Sequence, residues 1–182
     1  MGDSYKITDP HATYFLTFQV VDWIDVFSRK VYRDIVVDSL NYCIEKKELH
    51  VVAWVIMTNH VHAILYSHQK DLRDIIRDFK AHTAREILNN IESGKESRET
   101  WMQHVFAFNA RKHMRNEDRQ FWTHENHAVY LEPTKPEMLN SRINYIHQNP
   151  VRAGWVEEPS QYLYSSARDY EGGKGLVKIE LP

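Results

Sequence analysis

The sequence predicts an α+β sandwich: an antiparallel four-stranded sheet with helices packed on one face and an additional C-terminal helix. Three observations lead there. Short runs rich in aromatic and β-branched residues alternate with longer segments that carry apolar residues at helical spacing. The order of these segments is β-α-β-β-α-(α)-β-α, and the link Thr58-Asn59 is tight enough to predict an antiparallel hairpin. The length of 182 residues fits one domain at the usual ~100–200 residues, and 42% hydrophobic residues supply a core.

Residues 1–12 read as an arm ending at Asp9-Pro10, and Tyr14 to Val21 as the first strand. Trp23 to Phe27 is a connection, and Ser28 an N-cap for a helix from Arg29 to Lys47. Val31, Ile35, Leu40 and Ile44, with Val36 and Val37, give that helix an apolar face, near which Cys43 packs as a small hydrophobe. Leu49 to Met57 and His60 to Tyr66 are the second and third strands. A second helix covers Leu72 to Ile91 and ends at Ser93-Gly94; another covers Arg98 to Ala110, with Trp101, Val105, Phe106 and Phe108 as its apolar residues. Asn109 to Gln120 is a polar, basic loop. A short strand is expected near Ala128 to Leu131, then a helix from Glu137 to Gln148 that stops at Asn149-Pro150, because proline disfavours the helical conformation of the residue before it. His147 faces away from Tyr145 and reads as a surface residue, and Trp155 as a core contact. The chain is expected to form one domain over 1–182, with 156–182 as its tail. The pattern is that of a ferredoxin-like sandwich, in which the third strand is central.

Composition narrows the function classes. No apolar run approaches the ~20 residues of a membrane span. The N-terminal segment lacks a signal-peptide core. A single cysteine excludes a disulfide framework and sets a reducing cytoplasm as the expectation. A formal net charge of −2 argues against a generally basic nucleic-acid coat but not against a local basic groove.

The stretch Ala53 to Leu65 holds the chemistry. On a strand, His60 and His62 share one face while Val61 points to the other. Two imidazoles one repeat apart can hold one divalent metal, but the same spacing also describes two histidines on a solvated face. With a single cysteine and no second cluster, a structural zinc site is disfavoured. A catalytic site needs a further ligand and a nucleophile. The last helix offers Tyr145 and Asn149 at i and i+4, one turn apart on one face. Tyr145 can attack phosphorus as a phenolate, and the Asn149 carbonyl can ligate a hard cation. The alternative is a core tyrosine and a helix-terminating asparagine.

Trp54 to His62 resembles the His-hydrophobic-His motif of single-tyrosine (HUH) transposases. Tyr145-Ile-His-Gln-Asn-Pro-Val-Arg-Ala-Gly-Trp-Val156, followed by Pro159 and by Tyr164 to Tyr170, resembles the C-terminal signature of the REP-associated tyrosine transposases, and the stretch Phe121 to His127 fits as well. The resemblance spans nearly the whole chain. It implies a ferredoxin-like catalytic fold with a C-terminal catalytic helix, recognition of single-stranded hairpin DNA, and nicking through a 5′-phosphotyrosine bond. It makes His60 and His62 metal ligands, Tyr145 the nucleophile, and magnesium or manganese the cofactor. Asn149 stands where the wider group often has a glutamine as third ligand; its amide is shorter, and a bridging water is the alternative to direct coordination. DNA contacts are expected from Arg111, Lys112, Arg115 and Arg119 in the basic loop and from Arg152 beyond Tyr145. The resemblance leaves monomer and homodimer open, and implies a bacterial cytoplasmic protein, nucleoid-associated when acting on DNA. Two other functions compete: a catalytically silent nucleic-acid-binding module on the same fold, against which the complete His, His, Tyr set argues, and a metal-dependent nuclease in which water attacks.

Overall fold

Side-chain alternation organises the sheet. In a computed structural model that describes residues 6–112 and 118–182, β1 (Tyr14–Gln19) sends Tyr14, Leu16 and Phe18 into one apolar cluster and Phe15 into another. These clusters lie on opposite faces, as the two-residue period of a strand requires. β2 (His50–Ile56) and β3 (His60–Tyr66) pair antiparallel, and β1 and a short β4 (Val129–Tyr130) complete the order β2-β3-β1-β4. β3 is therefore central, flanked by β2 and β1, as the sequence predicts.

The first face is covered by α1 (Lys30–Lys47), α2 (Leu72–Asn90) and α3 (Glu99–Arg111). The Asp71 side chain caps α2 by accepting from the Arg73 N–H. Two apolar faces keep most of the expected residues but leave some of them in solvent. On α1 the buried residues are Tyr32, Val36, Val37, Leu40 and Cys43, while Val31 is exposed. On α3 Met102 and Phe106 are buried, whereas Trp101 and Phe108 face solvent. In both cases neighbouring apolar residues offer two overlapping stripes, and tertiary packing selects one.

α4 (Pro136–Arg152) packs on the opposite face, with Tyr162 and Tyr170 of the tail beside it. Its Ile143 and Ile146 meet Phe15, Ala53, Val55 and Ile64. A register shift between Val51 and Ala53 in β2 turns both Val52 and Ala53 toward this side. The expected stop at Asn149-Pro150 is overturned: the helix continues to Arg152 with Pro150 inside it. Pro150 is buried, so packing holds it in place, and the chain leaves the helix instead at Gly154, whose φ of +73° suits a residue without a side chain.

The tail runs back along the outer edge of β2. The Ile56 N–H donates to the Tyr164 carbonyl (2.9 Å), the Ser166 N–H to the Trp54 carbonyl (3.0 Å), and the Glu180 N–H to the Val51 carbonyl (2.9 Å). Edge groups of β2 that would otherwise be open to another chain are thus paired. A short α5 (Ala167–Tyr170) sits within this segment.

Candidate active site

His60 and His62 lie on the α4 side of β3, in step with the buried Ile64 of that face. Their rings are 4.6 Å apart, centroid to centroid. In the antiparallel register His62 stands opposite Thr17, and His60 opposite Gln19, both on β1. Each imidazole is oriented through its Nδ1 atom. His62 Nδ1 shares a 2.9 Å hydrogen bond with Thr17 Oγ1, and His60 Nδ1 a 2.6 Å bond with Asn59 Oδ1. This is how metal-ligating imidazoles are fixed, with one nitrogen anchored and the other turned to the ion. Burial pushes His60 down to about 4. Burial, then the neighbouring His60 and Arg142, push His62 down to about 3. Both rings are neutral at physiological pH, and a neutral imidazole has a lone pair for a cation.

α4 brings a second set of groups to the same place. Arg142, Tyr145, Asn149 and Arg152 recur at three- and four-residue intervals and form one stripe along the helix. The Tyr145 ring is 5.4 Å from that of His62 and 5.9 Å from that of Phe15. The Arg142 guanidinium lies 5.0 Å from the Phe15 ring and that of Arg152 lies 5.3 Å from the Tyr145 ring. Two cations therefore flank the candidate nucleophile. Asn149 Nδ2 donates to the Tyr145 carbonyl (2.7 Å), one turn back along the helix. That bond fixes the amide and leaves its Oδ1 as the atom able to meet a cation.

Among the described residues no group of three or more His, Cys, Asp or Glu converges to hold a metal ion. Two anchored neutral imidazoles, 4.6 Å apart by ring centroid, nevertheless have the donor chemistry for a divalent cation that keeps positions open, and Asn149 carries a further oxygen donor on the α4 stripe.

The other candidates are scattered. Arg111 and Lys112 are exposed at the end of α3, with the Lys112 ammonium 4.3 Å from the Phe108 ring. Arg119 is ion-paired with Glu92. Arg115 falls outside the described residues. Of the four expected DNA contacts among the described residues, Arg152 lies against Tyr145.

His147 is not a surface residue. It is 8% exposed, and its Nε2 shares a 2.8 Å hydrogen bond with Ser166 Oγ. Trp155 is 42% exposed, against Tyr162, rather than a core contact. Two further residues stand beside the site, Arg142 and Trp23. Arg142 was detectable, since it precedes Tyr145 by three residues on the same face. Trp23 is 59% exposed with its ring 6.1 Å from that of His60. It adopts a left-handed φ of +57°, which no local residue pattern announces.

A family model described as IS200-like transposase matches residues 12–120. No curated protein matches in sequence. Among solved structures, a REP-associated tyrosine transposase bound to a REP hairpin superposes with a TM-score of 0.65 at 17% identity, covering 99% of this chain and 92% of that one. It shares the fold described above. A crystal structure from Deinococcus radiodurans R1 aligns with a TM-score of 0.44 at 18% identity, covering 74% of this chain and 90% of the other.

Proposed function

Because the chain belongs to the IS200-like transposase family, we propose that this DNA transposase cuts and rejoins single-stranded, hairpin-bearing DNA through a covalent bond to Tyr145. The observation that carries this is the approach of Tyr145 to the histidine pair: a phenol 5.4 Å from the His62 ring, centroid to centroid, on the one face where two neutral imidazoles converge. The similar structure bound to a REP hairpin supports a hairpin as the substrate.

The chemistry follows from the groups present. The Tyr145 oxygen attacks the scissile phosphorus, and the P–O3′ bond breaks. The protein then carries a 5′-phosphotyrosine, and the departing 3′ oxygen takes up a proton. A 3′-hydroxyl later attacks the same phosphorus, expels the tyrosine and restores a phosphodiester, so bond energy is conserved and strands are exchanged rather than hydrolysed. A free phenol has a pKa of about 10. The Arg142 and Arg152 guanidiniums, over the Phe15 and Tyr145 rings, offset the charge that builds on phosphorus. His60, His62 and Asn149 Oδ1 are the residues that would hold magnesium or manganese, which when bound neutralises and polarises the phosphate. Arg111, Lys112, Arg115, Arg119 and Arg152 supply phosphate contacts along the strand. Histidines and tyrosine meet within one chain, so one copy carries the whole set and a homodimer is not required for cleavage. No helix among the described residues is long and apolar enough to cross a membrane. An enzyme with this substrate would work in the bacterial cytoplasm, at the nucleoid.

The test is a denaturing protein gel after incubation with labelled single-stranded hairpin DNA and manganese or magnesium. Label should move onto the wild-type protein and stay off Tyr145→Phe. Cleavage without an adduct would move the chemistry to water, and binding without cleavage would make the chain a silent DNA-binding module.

A further inference from the structure

A cavity of about 410 Å³ opens beside His60 and is not used by the chemistry above. It forms because the outermost strand is interrupted. The stretch 122–130 follows β1: Trp122 bridges Val20, the Thr123 N–H donates to the Gln19 carbonyl, the Thr17 N–H donates to the Asn126 carbonyl, and Val129 pairs with Phe15. Between Thr123 and Asn126 the chain swings away from the sheet, and it re-enters through His127 at a φ of +43°. The opposite wall is the turn Asp22-Trp23, both residues left-handed, at +49° and +57°. Three of the four described non-glycine residues with positive φ thus border one cavity. Such strain persists where surrounding structure holds it, and it concentrates at ligand-binding sites.

The chemistry of the walls selects the ligand. Trp23 presents an exposed indole, a platform for a stacked ring. Asp22 and Glu125 bring carboxylates, which repel phosphate but accept hydrogen bonds from base amino groups. Asp22 is held in place by Asn109, whose Nδ2 donates to its Oδ2 at 2.7 Å. Gln19 adds an amide from the strand position opposite His60. The cavity is tied to the candidate metal site by one side chain. Asn59 donates from Nδ2 to the Trp23 carbonyl (3.3 Å), while its Oδ1 is hydrogen-bonded to His60 Nδ1.

We propose that this cavity takes one unpaired, amino-bearing base next to the scissile phosphate, stacked on Trp23 and read by Asp22 and Glu125. The proposal rests on the reading of this face as the DNA-cleaving site. Adenine, cytosine and guanine carry the exocyclic amino donor that the carboxylates require; thymine does not.

Binding of labelled single-stranded homopolymers of dA, dC and dT, measured by fluorescence anisotropy in EDTA, tests it apart from the cleavage chemistry. Wild type should prefer dA and dC over dT by about tenfold, the scale of one good base contact. Glu125→Gln is isosteric on a side chain 78% exposed, so the fold is not at risk; it should reduce the preference. Trp23→Ala should weaken all three strands about tenfold, as loss of one stacked base does. Equal affinity for the three polymers, or a preference untouched by Glu125→Gln, overturns the proposal. A phosphotyrosine adduct formed without any base preference would sink the pocket and leave the cleavage reading standing. A preference without an adduct would do the reverse.

Discussion

On the side of α1 and α2, β3 contributes Val61, Ala63 and Leu65, none more than 2% exposed. On the side of α4 it contributes His60, His62 and Ile64. The same strand thus serves a dry apolar core and a polar site, separated by one step of the backbone. His62 is nearly as buried as its apolar neighbours, at 6%, yet its Nδ1 is hydrogen-bonded to Thr17. Burial of a polar group is tolerable where a partner is built in. A one-residue slip of β3 would exchange the faces and place both imidazoles among apolar side chains. Register here therefore sets stability and chemistry together.

The sharpest way to break this comparison is to injure one face at a time. Tyr145→Phe removes one hydroxyl from the α4 side and should abolish the covalent adduct. Stability should stay within about 0.5 kcal/mol of wild type in urea unfolding. Phe18→Ala empties a fully buried position on the other side. It should cost about 3–5 kcal/mol in the same experiment, while the molecules that remain folded still form the adduct. If Phe18→Ala were to lose adduct formation without losing stability, the division of labour between the faces would be wrong.

Much of this arrangement was legible in the sequence because it is periodic. A period of two put His60 and His62 on one face, and a spacing of four put Tyr145 and Asn149 on another. The hairpin link and the element order led to the central position of β3. What escaped is not periodic. The path of the tail along β2 joins residues more than a hundred positions apart, Ser166 with Trp54 and Tyr164 with Ile56. Proline inside α4 defeated a local rule because its ring is buried. Trp23 reached the site through a left-handed turn that contains no glycine. Arg119 is ion-paired with Glu92, a partner 27 positions away that no local pattern announces.

The tail sharpens the comparison further, since it joins α4 to the edge of the sheet. Ser166 Oγ accepts from the Trp54 N–H (2.9 Å), lies 3.3 Å from the Trp54 carbonyl, and shares a 2.8 Å hydrogen bond with His147, on the helix that carries Tyr145. Ser166→Ala leaves both groups buried without that oxygen. The expected loss is about 1–3 kcal/mol, read by chemical denaturation. Unchanged stability would mean that the helix is held by its apolar contacts alone.

The smallest effect is expected at the far end of the tail. Glu180 accepts from the Tyr66 hydroxyl at 2.5 Å and meets His50 Nδ1 at 2.6 Å. The Tyr66 hydrogen bond, followed by that from His50, holds its carboxyl below the ordinary 4.5. A carboxyl with a folded value lower than its unfolded one binds fewer protons when folded. Its contribution to stability is therefore present above pH ~4.5 and fades as pH falls through the depressed folded value. The side chain is 47% exposed, so solvent screens the interaction and the effect is local rather than global. Acidification below that range should speed hydrogen exchange at the Glu180 amide, which donates to the Val51 carbonyl, before the sheet itself opens. Glu180→Gln cannot ionise, and should exchange at a rate that no longer varies with acid beyond the intrinsic chemistry. A wild-type amide equally protected on both sides of the transition would show that backbone pairing with β2, not the carboxylate, anchors the end of the tail.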